Sequence, residues 1–327
     1  MTDYLIGGYG PDLGGTATGI AWGRSDADGR FRYGGVLAEL PSPSWVLPAD
    51  DRVYAALEGT GELAELAWNG PRLDVGWRVA SGGSAPCHLG SDDGAVIVAC
   101  YGDGVVAVHR PGSDPQLLPG AGSGPLPAQE GPHAHHVAAV GGEVLTLDLG
   151  ADLVHVHVWR DGALVRRHSV PLPAGTGPRD LLALPDGRIA VLGEWSCELI
   201  LLEPAGDSLE IVQILPVPGA TPGEDQAAAL GLSADGRALV AGIRGADRVA
   251  TVLLDADAAR PGSWAPSGGR TPRNLVVDGE FVHVANQDSG MVATLHLGPD
   301  GSLAPHGEPV AVPSPTCLTP VGSGLKF

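Results

Sequence analysis

Gly177-Pro-Arg-Asp-Leu-Leu-Ala-Leu-Pro-Asp-Gly-Arg-Ile-Ala-Val-Leu-Gly-Glu-Trp-Ser-Cys-Glu-Leu-Ile-Leu-Leu-Glu203 is one phrase of a repeating text. A proline-led start opens an apolar strand, Asp186-Gly187 supplies a tight turn, a second apolar strand follows, and a short polar loop leads to a third. Clear copies occupy 85–109, 131–159, 177–203, 224–255 and 271–297. The turns Asp93-Gly94, Asp186-Gly187, Asp235-Gly236 and Asp278-Gly279 keep the beat: 93 residues, or two periods, then 49, then 43. A period in the forties built from short strands is the mark of a β-propeller.

A weaker copy runs from Ser42-Pro43-Ser44-Trp45 through Arg52–Leu57 to Leu63–Trp68. The two ends supply one more. Ser314-Pro-Thr-Cys-Leu318 reads as an inner strand, Tyr4–Gly10 as the next and Thr18–Trp22 as the third. We therefore expect an all-β fold: a seven-bladed β-propeller of four-stranded antiparallel blades, closed by N- and C-terminal strands in one blade, with residues 1–327 as a single domain. Outermost strands fall to segments such as 163–171 and 209–216, rich in Val, Ile and Leu. The Gly/Pro/Ser-rich stretch 111–131 reads as a long loop between blades, and sustained helical spacing is absent, so helix should be minimal.

Composition agrees. Fifty glycines and 29 prolines beside abundant Val, Leu and Ile suit many strands joined by many turns. The formal charge is −19, with Lys326 the single lysine. So acidic a chain lacks the basic face that a nucleic acid requires. An anionic small ligand would need the few arginines to cluster against the general field. No signal peptide and no membrane span is legible, and Cys87, Cys100, Cys197 and Cys317 lack metal-site spacing. They read as buried thiols of a cytoplasmic protein, with a Cys87–Cys100 disulfide as the lesser alternative. We expect no nucleic-acid or membrane partner, no cofactor, and a monomer or weak homodimer.

In each blade the start of the inner strand and the loop after the second strand share one face, because the two strands are antiparallel. Aligning the copies gives two rings. The first reads Ser44, Cys87, His135, Arg179, Ala228, Arg273 and Thr316; the second reads Tyr9, Glu58, Tyr101, Leu149, Glu194, Arg244 and Gln287. A purely structural repeat would carry small or apolar residues at equivalent places. Here His, three Arg and two Glu crowd a narrow channel, which is costly unless they are paired or functional. A hydrated salt-bridge cap is one reading; an anion-binding catalytic mouth is the other.

The catalytic reading places His135 as general base or acid. Arg179 and Arg244 bind a carboxylate or phosphate, or stabilise an oxyanion, while Glu194 pairs with Arg179 or passes protons with His135. Arg273, His133, Tyr101, Glu58, Gln287 and Tyr9 are candidate substrate contacts. The chemistry suits an ester or lactone. No Gly-x-Ser-x-Gly elbow exists, so water is the simpler nucleophile. The histidines 133, 135, 136, 155 and 157 form a cluster for which a metal is the weaker reading, since 155 and 157 fall on a third strand away from the channel. Gly120–Gly124 is not followed by a helix, and Asp148, Asp152 and Asp288 lack calcium-loop spacing. Trp195 either walls the pocket or simply packs.

Six phrases, Gly131-Pro-His-Ala-His-His-Val137, Gly177-Pro-Arg-Asp-Leu181, Ser233-Ala-Asp-Gly-Arg237, Thr271-Pro-Arg-Asn-Leu275, Val284-Ala-Asn-Gln-Asp-Ser-Gly290 and Val312-Pro-Ser-Pro-Thr-Cys317, occur in order between residues 131 and 317. Together they resemble the bacterial lactonase family, the seven-bladed propeller group that includes 6-phosphogluconolactonase and the fungal carboxymuconate lactonizing enzyme. The resemblance implies a metal-independent site in the channel mouth, with the family's His, Arg, Glu and Arg at His135, Arg179, Glu194 and Arg244. It implies hydrolysis of a sugar-type or phosphorylated lactone. Ring closure or isomerisation is the alternative, and a non-catalytic interaction scaffold a third reading. One departure is Ala229-Leu230, where many members carry an acidic residue followed by Ile.

Overall fold

Seven antiparallel sheets, each with four successive strands, make up the computed structural model, which describes residues 1–49, 51–255 and 258–321. Blade 1 is the split one: Pro315–Val321 is its inner strand, followed by Thr2–Gly8, Gly19–Ser25 and Phe31–Glu39. Asp3 pairs with Val321 and Ile6 with Leu318, so the two ends of the chain lie in adjacent strands of one sheet. Blades 2 to 7 follow in order, with inner strands Pro43–Ala49, Pro86–Asp92, Ala134–Val140, Pro178–Ala183, Gln226–Leu232 and Pro272–Asp278. Each inner strand touches the inner strands of both neighbours, which closes the ring. Blade 7 adds a fifth strand, Val310–Ala311, beside its third.

A hydrophobic cluster fills each of the seven joints between blades. Leu5, Val46 and Leu57 join blades 1 and 2; Leu145, Leu181 and Ile200 join 4 and 5; Tyr4, Ile6 and Val292 seal blade 7 against the split blade. The second strands are largely apolar and buried, Ala95–Cys100 and Ile189–Gly193 wholly so, because both of their faces are covered by neighbouring blades. The outer strands are mostly exposed and bury only isolated residues, Leu73 in blade 2 and Leu209 and Leu215 in blade 5.

Helix is confined to two single 3₁₀ turns among the described residues, Pro11–Leu13 and Pro127–Gln129. The stretch 111–131 is not solely a loop between blades. Gln116–Leu118 is the outer strand of blade 3, paired with Val106–His109. Three residues between Pro115 and Pro119 carry too little periodicity to announce a strand. All four cysteines are free and buried, so no Cys87–Cys100 disulfide forms. Burial pushes the Cys100 thiol up to about 12 and those of Cys197 and Cys317 to about 11, so they stay protonated.

One local irregularity recurs in all seven blades and decides where the site lies. The inner strand loses register with its neighbour at a single unpaired residue. These residues are Ser44, Cys87, His135, Arg179, Ala228, Arg273 and Thr316. Each is a β-bulge, which breaks the strict alternation of the strand and re-aims a side chain.

Candidate active site

The seven bulged residues are those of the first ring, and all of them line one narrow cavity at the channel mouth. The second ring is fastened to the first through the backbone. In six blades its amide donates to the carbonyl two residues before the bulge: Tyr9 to Ser314, Glu58 to Ser42, Tyr101 to Ala85, Leu149 to His133, Glu194 to Gly177 and Gln287 to Thr271. Arg244 pairs with Gln226 in the ladder of blade 6. The chemistry-bearing side chains are thus held by main-chain bonds rather than by flexible loops.

Glu194 is the hub. Its Oε2 accepts from Arg179 Nη1 at 2.5 Å, and its Oε1 lies 2.8 Å from Arg244 Nη2. Arg179 Nε also donates to the Ala228 carbonyl at 3.0 Å, so its plane is set from two blades. Both Glu194 and Arg179 are buried. Burial alone would raise the Glu194 carboxyl, but Arg179 and Arg244 outweigh it and hold the group below its ordinary range. Glu194 is therefore a fixed anion. Arg244 is brought down to about 10 by burial and by Arg179, and remains charged at neutral pH.

Arg273 is held on the opposite side. Its guanidinium lies 4.6 Å over the Tyr9 ring, 3.7 Å from Glu58 Oε2, and donates to Gln287 Oε1 at 3.3 Å. Tyr9 in turn donates to Glu58 Oε1 at 2.7 Å. The arginines of the two rings do cluster: Arg179 and Arg244 share the Glu194 carboxylate, and Arg273 stands beside Glu58.

His135 lines this cavity. Burial, then the nearby Arg179 and Arg273 charges, push its imidazole well below the usual histidine range, so it is neutral at pH 7. Its Nδ1 has no hydrogen-bond partner among the described residues. Tyr101 meets His135 edge-on at 6.1 Å and stacks on His133 at 4.5 Å. His133 itself is turned to the Tyr101 carbonyl, 2.6 Å from Nδ1, and does not line the cavity. Cys87 does line it, but burial, reinforced by Glu58, raises its thiol and leaves no thiolate nucleophile. Leu149 is buried apart from the channel, and Trp195 packs on Gly177 rather than walling the pocket.

His155 and His157 turn away from the channel within blade 4. His155 Nδ1 is 2.7 Å from Ser169 Oγ and His157 Nε2 is 3.0 Å from Thr146 Oγ1. Among the described residues, no three His, Cys, Asp or Glu side chains are grouped to hold a metal. No helix among those residues is long and apolar enough to cross a membrane. A roomier groove on the outer rim, lined by Tyr54, Trp77, His109 and Arg110, gathers no comparable set of charges, and Arg110 is already paired with Asp93.

The two-ring alignment missed a second tier. Trp45, His88, His136, Asp180 and Asn274, each one residue after a bulge, line the same cavity. Strand alternation would turn them away, but the bulge lets two consecutive residues face the channel. A signal was present. Ser42, Ala85, Gly177, Thr271 and Ser314 precede a proline and take positive φ, marking the irregular entry in five blades.

Known proteins share this fold and its family. A 6-phosphogluconolactonase from Bacillus subtilis is 29% identical over 255 residues, 72% of this chain and 73% of that protein. A structure described as a putative 6-phosphogluconolactonase from Bacteroides fragilis superposes with a TM-score of 0.89 at 25% identity, covering 98% of both chains. The periplasmic gluconolactonase PpgL of Pseudomonas aeruginosa gives 0.88 at 27% identity, covering 98% of this chain and 99% of that one. The model of the "Lactonase, 7-bladed beta-propeller" family matches residues 4–320, and the chain belongs to that family.

Proposed function

We propose that this protein hydrolyses an anionic lactone, of the sugar or phosphosugar type, at the channel mouth. The observation that carries the reading is the pairing of a neutral His135 with Arg179 and Arg273 in one cavity, with Arg244 joined to Arg179 through Glu194. Arg244 and Arg273 hold the anionic group of the substrate, and Arg179, fixed by Glu194 and the Ala228 carbonyl, faces the charge that develops on the carbonyl oxygen.

Water attacks the carbonyl carbon and gives its proton to His135. The carbonyl electrons move to oxygen, and collapse of that tetrahedral species breaks the bond to the ring oxygen. The ring oxygen leaves as an alkoxide and takes up a proton. The related proteins named above support the substrate class.

The test is a lactone panel that includes 6-phosphogluconolactone and gluconolactone, read by acid release above the spontaneous rate. His135→Ala should lower kcat by about 100-fold or more, the usual contribution of a general base. Arg179→Ala should lower kcat/KM. A wild-type rate equal to background across the panel overturns the reading.

A further inference from the structure

The second tier contains a pair that the rings do not use. His136 Nδ1 lies 3.0 Å from Asp180 Oδ1, with side-chain exposures of 12% and 16%. Asp180 is fixed from three directions. Its Oδ1 also accepts the Leu181 amide at 2.8 Å, and its Oδ2 accepts the Leu230 amide of blade 6 at 2.9 Å. On its other side His136 stacks on His88 with ring centres 3.9 Å apart, and His88 lies 4.0 Å from Trp45. His88 Nδ1 accepts the Val137 amide, so that ring is a neutral stacking platform. The groups facing His136 are therefore Asp180 from blade 5, His88 from blade 3 and His135 from its own strand.

With Nδ1 committed to Asp180, the nitrogen left to exchange a proton is Nε2. Asp180 stands where it fixes the tautomer and stabilises an imidazolium, the task of the carboxylate in a Ser-His-Asp triad. Two adjacent histidines of one strand thus meet opposite surroundings in one cavity. His135 faces two guanidiniums, and His136 faces a carboxylate. Two histidines held by such different partners beside one cavity are placed to divide the acid and base tasks between them.

We propose that His136, oriented by Asp180, is the general acid that protonates the departing ring oxygen, while His135 takes the proton of the attacking water. The inference rests on the lactone-hydrolase reading. The acyl carbon to ring oxygen bond breaks, its electrons stay on that oxygen, and the His136 Nε2 proton moves to it. The proton held by His135 then passes to solvent, and His136 takes one back. The products are an alcohol and a carboxylic acid, with no other reactant needed.

A group that protonates the leaving oxygen matters when that oxygen is basic and is dispensable when it is not. The experiment compares an alkyl lactone, 6-phosphogluconolactone or gluconolactone, with an aryl lactone, dihydrocoumarin, in wild type, His136→Asn, Asp180→Asn and His135→Asn. Thermal unfolding checks that each variant folds. His136→Asn keeps an amide donor for Asp180 and should lower kcat on the alkyl lactone by about 100-fold or more, with the aryl rate nearly unchanged. Asp180→Asn should show the same selectivity to a smaller extent. His135→Asn should slow both lactones. Equal slowing of both lactones by His136→Asn, or no slowing of the alkyl one, overturns the acid role and leaves lactone hydrolysis standing. A wild type inert on both lactones removes the underlying reading and the acid role with it.

Discussion

Glu194 carries two cations in a space where neither it nor Arg179 meets much water. Removing the carboxylate while keeping its shape leaves two buried guanidiniums facing one another. Glu194→Gln should therefore cost about 3–5 kcal/mol of stability, the usual penalty for breaking a buried ion pair. Urea unfolding measures it, and added phosphate, by replacing the lost anion, should restore part of the loss in the variant. A neutral effect would mean that the arginines find other partners. The residue also explains what the sequence could and could not show. His135, Arg179, Glu194 and Arg244 were legible because they break a repeat whose other copies show what an undemanding position looks like. His136 and Asp180 were not, because alternation assigns them to the wrong side of the strand and only the bulge turns them back.

At the scale of the element, the entry to five of the seven inner strands passes through left-handed backbone. Gly177 has φ of +59°, and a Cβ placed there would stand 2.4 Å from the Trp195 ring. Gly177→Ala should destabilise by about 1–3 kcal/mol, since it adds left-handed strain to a clash. Ala85 occupies the equivalent place in blade 3 with φ of +49°. Ala85→Gly should stabilise by up to about 1 kcal/mol, because relief of left-handed strain exceeds the entropy lost by the glycine. Urea midpoints of the two variants should move in opposite directions; a shared direction would show that backbone strain does not control this entry. The strands themselves were legible where an Asp-Gly turn and apolar runs marked them. Gln116–Leu118 was not, because an edge strand of three residues with a single covered face leaves almost no pattern.

Across the whole molecule, two features follow from the ring. The first is its closure. Thr2–Gly8 is shielded from the channel only by Pro315–Val321, a strand from the far end of the chain. A chain ending at residue 313 should leave an apolar edge unpaired, lose cooperative unfolding and aggregate; a monomeric, cooperatively melting truncation would contradict this. The second is the set of neutral histidines set into the blades. Burial holds His88 and His135 well below the usual range, and brings His157 to about 3 and His283 to about 4. Their unfolded counterparts take up a proton near pH ~6.5, so the unfolded state binds more protons below that point. Stability should thus be complete above about pH 6.5 and fall as the pH drops toward each folded value, by up to about 1.4 kcal/mol per pH unit for each such ring. Urea midpoints between pH 7.5 and 5 check this, and a flat profile would show that these rings are not held neutral.

None of the seven bulged residues belongs to the clusters that fill the joints. None has its own partner in the neighbouring strand either. Apart from side-chain bonds between blades, Arg179 to the Ala228 carbonyl and Thr316 to the Ser44 carbonyl, the fold asks of these positions a side chain that fits the channel. Ala228 and Thr316 stand beside Arg179 and Arg273 in equivalent places, so one backbone device carries side chains as different as alanine, threonine and arginine. A propeller of this kind is a reading head with exchangeable characters, and a lineage that keeps its blades is free to change its substrate.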